Sequence, residues 1–203
     1  VLKLETLVWA HMYDDTVRYA EQNAATLSLS RFVSPKIEPE IVFKMKNTLA
    51  GPVEPADALA AVEWLALGFE IIDCVYADWK FQPADFVAAF GLHAALIVGA
   101  PLRVDPPMIP ELVEALPRLK VTLLRDGTAV EEGSGKNSLR SPALCLAELA
   151  AAIARRPGMD RLAAGELVSS GTLTESRPLA AGETWAAVVE GVVLPTLTLR
   201  AVE

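Results

Sequence analysis

The chain has 203 residues, 52% of them hydrophobic and 22% charged, enough for one domain, with or without an appendage, around a substantial core. Its net charge of −8, without any basic run, excludes nucleic acid and anionic membrane surfaces as partners. Cys74 and Cys145 are too few for a disulfide framework or a zinc site and fit a reducing cytoplasm.

The first residue is Val1, so a trimmed or incomplete N-terminal part is expected, and no signal peptide is visible. Residues 1–10 read as a short strand, Glu21-Gln22-Asn23 as a turn, and Thr26 to Leu29 as a strand. The stretch that organises the chain follows, from Pro35 to Lys44. Read as a strand, it points Ile37, Pro39, Ile41 and Phe43 to one face and Glu38, Glu40, Val42 and Lys44 to the other. Two carboxylates one pleat apart repel each other unless a cation sits between them, and Mg²⁺ takes oxygen ligands. Two solvated glutamates on an amphipathic strand are the alternative. Pro39 lacks a backbone donor, which predicts a sheet edge or a bulge there.

Ala58 to Leu67 reads as a helix, with Asp57 in its first turn and Gly68 closing it. Phe69 to Tyr76 reads as a buried strand carrying one acidic residue, Glu70, among apolar neighbours. A buried glutamate needs a partner, either a cation site or a nearby Lys or Arg. Pro83 to about Phe90 is a short helix, and Ala94 to Val98 a strand. The apolar run from Phe86 to Leu102 is too short and too broken to be a membrane span. Glu111 to Leu116 reads as a helix, and Asp126-Gly127 as the turn of a hairpin. Ser141-Pro142 starts a helix that runs to Arg155. Strands over 167–174, 184–190 and 192–200 close the chain. Many strands, some non-local, with a few helices at the side predict an α+β fold.

Familiar catalytic loops are missing. The Gly133-Ser134-Gly135-Lys136-Asn137 stretch lacks both the first glycine of a phosphate loop and the hydroxyl after its lysine. No dinucleotide fingerprint follows a strand, and no nucleophile elbow occurs. The four tryptophans are scattered and read as core or interface residues.

Taken together, Pro35-Lys36-Ile37-Glu38-Pro39-Glu40-Ile41-Val42-Phe43-Lys44, a helix, and then Phe69-Glu70-Ile71-Ile72-Asp73 resemble the hydratase/decarboxylase family. That family holds 2-keto-4-pentenoate hydratase and 4-oxalocrotonate decarboxylase and is a branch of the fumarylacetoacetate hydrolase fold. The tail agrees: Gly165-Glu166, Gly171-Thr172-Leu173-Thr174 and Pro178-Leu179-Ala180-Ala181-Gly182-Glu183 resemble three family motifs in order. The resemblance spans roughly residues 11 to 200. It implies a single catalytic domain over 1–203, built as a mixed, strongly curved β-sheet roll with flanking helices.

Carried over by position, the resemblance implies Glu38, Glu40 and Glu70 as ligands of Mg²⁺ or Mn²⁺. It places the active-site aspartate at Asp15, within His11-Met12-Tyr13-Asp14-Asp15. The family lysine falls on Lys3, although its neighbouring glycine is missing. The hydroxyl that holds substrate falls on Thr172. One segment departs from the pattern: where the family has a polar stretch, this chain has Ala88-Ala89-Phe90-Gly91-Leu92-His93. His93 is then either an assisting acid/base group or a core histidine. The implied activity is that of a lyase, hydrating or decarboxylating a linear 2-oxo/2-hydroxy dienoic acid of the aromatic meta-cleavage type through a metal-stabilised enolate. An acylpyruvase-type C–C hydrolase and a catalytically weak metal-binding partner subunit are the alternatives. A cytoplasmic homo-oligomer is expected, associated with a related pathway enzyme in one variant of this reading.

Overall fold

The computed structural model describes residues 7–156, 158 and 161–203. In chain order the elements are β1 (Val17–Tyr19), β2 (Ala24–Ser28), β3 (Pro35–Met45), α1 (Pro55–Ala60), β4 (Val62–Asp73), α2 (Pro83–Ala88), β5 (His93–Val98) and β6 (Leu102–Arg103). They continue as α3 (Ile109–Ala115), β7 (Lys120–Arg125), β8 (Thr128–Ser134), α4 (Pro142–Ala154), β9 (Leu167–Ser169), β10 (Arg177–Pro178), β11 (Thr184–Glu190) and β12 (Leu197–Val202). One sheet runs β1-β5-β4-β3-β10, with β6 added to β4 and β9 to β3; the other runs β2-β12-β11-β7-β8. Parallel pairing of β1 with β5 and of β2 with β12 makes both sheets mixed.

The main core lies between the sheets. Ile37, Ile41 and Phe43 from β3 join Leu123, Trp185 and Leu199 from the second sheet, and α4 closes the side with Ala143, Leu146 and Ala150. The other face of the first sheet holds a smaller apolar group, Val42, Ala66, Leu96 and Val98. The alternation read from β3 therefore divides two chemically different faces. Among the described residues, no helix is long and apolar enough to cross a membrane.

Three local expectations are corrected. The predicted helix over 58–67 ends at Ala60, and residues 62–67 belong to β4, which pairs with β3 along nearly its whole length. Alanine-rich helix propensity amounts to a few tenths of a kcal/mol per residue, and a long antiparallel ladder with a buried face overrides it. Gly68 accordingly closes no helix. It stands opposite Glu40, where a Cβ would lie 2.5 Å from Val42 Cγ2, so only glycine lets the strands pack there.

Pro39 marks neither an edge nor a bulge. On the side away from β4, β3 is covered by β9 at Val42–Lys44 and by β10 at Lys36–Ile37. Between them a loop donates Ser170 N–H to Ile41 O at 3.0 Å and Leu173 N–H to Pro39 O at 2.8 Å. The missing proline N–H falls in that gap, where no strand asks for it. Finally, residues 7–10 form no strand, and the remainder of that expected element lies outside the described residues.

Candidate metal centre

Register alone brings the first three candidates together. Glu38 stands directly opposite Glu70 in the β3–β4 ladder, and Glu40 is one pleat further on the same face. Ligand oxygens of the three glutamates lie within 4.8 Å of one another. Glu40 is 1% exposed, so the reading of two solvated glutamates fails. No Lys or Arg pairs with Glu38, Glu40 or Glu70 among the described residues. Lys36, one pleat from Glu38 on the same strand, sits 3.8 Å above the centre of the Trp79 ring. Trp79 in turn donates its indole N–H to Ser34 Oγ at 2.8 Å, so it is a platform for Lys36.

The electrostatics follow. Burial, then the charge of Glu70, push Glu38 up from 4.5 to about 8, with Lys36 opposing. Burial, then Glu70 and Glu38, raise Glu40 well above the usual carboxylate range, against hydrogen bonds from Ser169 and Gly171. Glu40 Oε2 accepts the Gly171 N–H at 2.9 Å and the Ser169 hydroxyl. Its other oxygen, Oε1, is buried and has no donor. A buried carboxylate oxygen without a donor, in a cluster of three carboxylates, is the donor set of a hard divalent cation. A divalent cation would satisfy Oε1 and offset the mutual repulsion.

The cluster opens into a cavity of about 930 Å³. Met12, Phe86, Phe90, Leu149 and Ile153 supply apolar walls, and Lys44 and Arg161 add positive charge. Cys145 also lines it; burial, then Glu40, push that thiol up to about 12, which keeps it protonated and inert.

The other sequence candidates fare differently. Thr172 lines the cavity, while its hydroxyl donates to Thr174 O at 2.9 Å within its own turn. Asp14 and Asp15 are both exposed, and of the two Asp14 lines the cavity. Lys3 lies outside the described residues. His93 lines the cavity, and the partner sought for Glu70 is this histidine, whose Nδ1 is 2.7 Å from Glu70 Oε1. Sequence reading named Glu70 and His93 separately and missed their pairing. It also missed Ser169 and the Gly171 amide as the groups that hold Glu40. The tail motif carried that signal, since the serine pair stands just before Gly171-Thr172.

The comparisons agree with this architecture. The chain is 33% identical over 176 residues to a 4-oxalocrotonate decarboxylase of Pseudomonas sp., covering 87% of this chain and 64% of the relative. It is 32% identical over 178 residues to a 2-hydroxyhexa-2,4-dienoate hydratase of Comamonas testosteroni, with 87% and 64% covered. It thus spans just under two thirds of these curated relatives. The structure of 4-oxalocrotonate decarboxylase from Pseudomonas putida G7, complexed with magnesium and adipate, superposes with a TM-score of 0.80 at 28% identity, covering 93% of this chain and 67% of that one. Residues 9–200 match the model of the fumarylacetoacetate (FAA) hydrolase C-terminal family. The chain belongs to the fumarylacetoacetate hydrolase C-terminal family.

Proposed function

We propose that the protein is a divalent-metal-dependent lyase, a hydratase or decarboxylase acting on a linear 2-oxo/2-hydroxy dienoic acid. The observation that carries this reading is the glutamate trio, with the donorless Oε1 of Glu40, in the wall of a large cavity. Relatives named as decarboxylase and hydratase support it.

Glu38, Glu40 and Glu70 would hold Mg²⁺ or Mn²⁺. Such a cation supplies Lewis-acid stabilisation of the negative charge that develops on a substrate oxygen. Ser169 and the Gly171 amide keep Glu40 aimed at the cluster. Lys44 and Arg161 offset the charge of an anionic substrate in a chain whose net charge is −8. Thr172, on the cavity wall, would meet a substrate carboxylate by turning its hydroxyl from its own loop. The Asp14–Asp15 pair carries the proton, with Asp14 the member on the wall. Met12, Phe86 and Phe90 enclose the hydrocarbon part and exclude water. Lys3 is retained as the assisting amine by position in the sequence.

The chain's hydrophobic fraction, 52%, supports a homo-oligomer, and the buried free cysteines Cys74 and Cys145 support a reducing cytoplasm. Sedimentation at 21.7 kDa would refute the oligomer.

Purified protein assayed with Mg²⁺, Mn²⁺ or EDTA against a panel of 2-oxo acids tests the activity. CO₂ release or a change in dienol absorbance that EDTA abolishes is expected. Turnover that persists in EDTA would overturn the metal-dependent reading, and no turnover on any dienoic acid would overturn the lyase.

A further inference from the structure

We propose that His93 is a positioning residue: it locks Glu70 in place for the cation and clips the Asp14–Thr16 turn to the same carboxylate. The inference rests on the reading of Glu38, Glu40 and Glu70 as a cation site.

His93 is 6% exposed and both of its ring nitrogens are engaged. Nδ1 lies 2.7 Å from Glu70 Oε1, and Nε2 lies 2.9 Å from Thr16 Oγ1. Thr16 Oγ1 is also 2.8 Å from Tyr13 O, across the turn that carries Asp14. A carboxylate oxygen only accepts, so Nδ1 donates the proton of that bond. With both nitrogens taken, neither is free to face a substrate. The side chain acts through Glu70 and Thr16.

Each buried ligand needs something to hold it. Glu40 has Ser169 and Gly171; Glu70, 17% exposed, has His93. A hydrogen bond on Glu70 Oε1 leaves the other oxygen for a cation and stops the carboxylate from swinging, the usual office of a ligand's outer partner. The same imidazole reaches outward. β1 is a three-residue strand at the sheet edge, and the turn before it would otherwise rest on few contacts. Through Thr16 the imidazole keeps Asp14 at a set distance from the ligands.

The backbone is bent to deliver this side chain. Phe90, Gly91 and Leu92 have φ of +52°, +72° and +66°, left-handed values that are costly at Phe90 and Leu92. The β4–β5 register then shifts between Ile71 and Ile72, leaving Ala94 unpaired and setting His93 opposite Ile72, on the face of Glu70. In unbroken alternation residue 93 would share a face with Ala95 and point into the main core. A bulge that turns one side chain toward a site is a built feature.

Mn²⁺ binding, read from the spectrum of free Mn²⁺, tests the proposal on the wild-type chain and three variants. The amide nitrogen of His93→Asn takes the place of Nδ1, and that of His93→Gln takes the place of Nε2. The expected result is Mn²⁺ affinity in His93→Asn close to wild type and about 10- to 100-fold weaker in His93→Gln. Thr16→Val should keep Mn²⁺ affinity and lower kcat. Equal affinity in the Asn and Gln variants would overturn the lock on Glu70, because a packing role does not distinguish them. A wild-type kcat in Thr16→Val would overturn the clip. Absence of Mn²⁺ binding to the wild-type chain would instead overturn the cation reading itself.

Discussion

In the ladder between β3 and β4, the register is unbroken from Pro35–Asp73 to Lys44–Trp64, and it sets Glu38 opposite Glu70. One strand over, between β4 and β5, the register slips at Ala94, after three successive left-handed residues. Both regions deliver a side chain to the same cavity. The first does so by alternation, the cheapest rule a strand has, and any neighbour change that keeps the pairing keeps the site. The second works against alternation and holds its side chain by strained backbone and by hydrogen bonds at both ends of the imidazole. The glutamate trio is thus built on the rigid ribbon. The groups that adjust it, His93 and the Asp14–Thr16 turn, sit on irregular backbone where substitutions act more locally.

The sharpest test of the ribbon is Glu40→Gln. Activity should be lost and Mn²⁺ affinity should fall more than about 100-fold, beyond the loss typical of an outer partner. Folding should be spared, because a neutral amide suits a site that already disfavours the charged carboxylate. A metal-free melting temperature well below wild type, by circular dichroism, would show that Glu40 is structural instead.

Next in size is the turn. Asp14→Asn should lower kcat by about 10²–10⁴-fold, the range for a general acid or base, with Asp15→Asn near wild type. The reverse order in steady-state kinetics would return the role to Asp15.

The third test is pH. Glu38, raised from 4.5 to about 8, binds more protons in the folded than in the unfolded chain between those values. Its contribution to stability is fully present below about 4.5 and is lost as pH rises through about 8. Calorimetry of metal-free protein should therefore show this contribution to the melting temperature declining across that window. Added Mg²⁺ should restore more at the alkaline end, and Glu38→Gln should flatten the slope. An unchanged slope in Glu38→Gln would remove Glu38 as its cause.

The smallest effect belongs to Gly91→Ala. Its φ of +72° leaves a Cβ in ordinary contact, 3.5 Å from Phe86, so the cost is conformational, about 1–2 kcal/mol. For a chain of this size that is roughly a 2–8 °C drop in melting temperature. No drop would mean that the 90–92 segment is less constrained than its dihedrals imply.

Much of the site was legible from residues alone. Alternation put Glu38 and Glu40 on one face, and an acidic residue amid Phe69, Ile71 and Ile72 marked Glu70 as needing a partner. The hairpin at Asp126-Gly127 and the helix start at Ser141-Pro142 were equally plain, because turn and cap chemistry is local. The stretch 58–67 misled, since its alanines favour a helix while the partner that makes it a strand lies some twenty residues earlier.

The sequence by itself brought out the glutamate trio, the α+β class and the family, because these rest on strand period and on motifs of fixed spacing. Only the tertiary structure decided that Glu70 pairs with His93, that Asp14 lines the cavity in place of Asp15, and that Pro39 meets a loop between two strands. Each of those depends on a register shift, a turn or a sheet neighbour distant in the chain. A one-residue slip changes which face a side chain takes, and no local pattern in the 88–94 segment announces it.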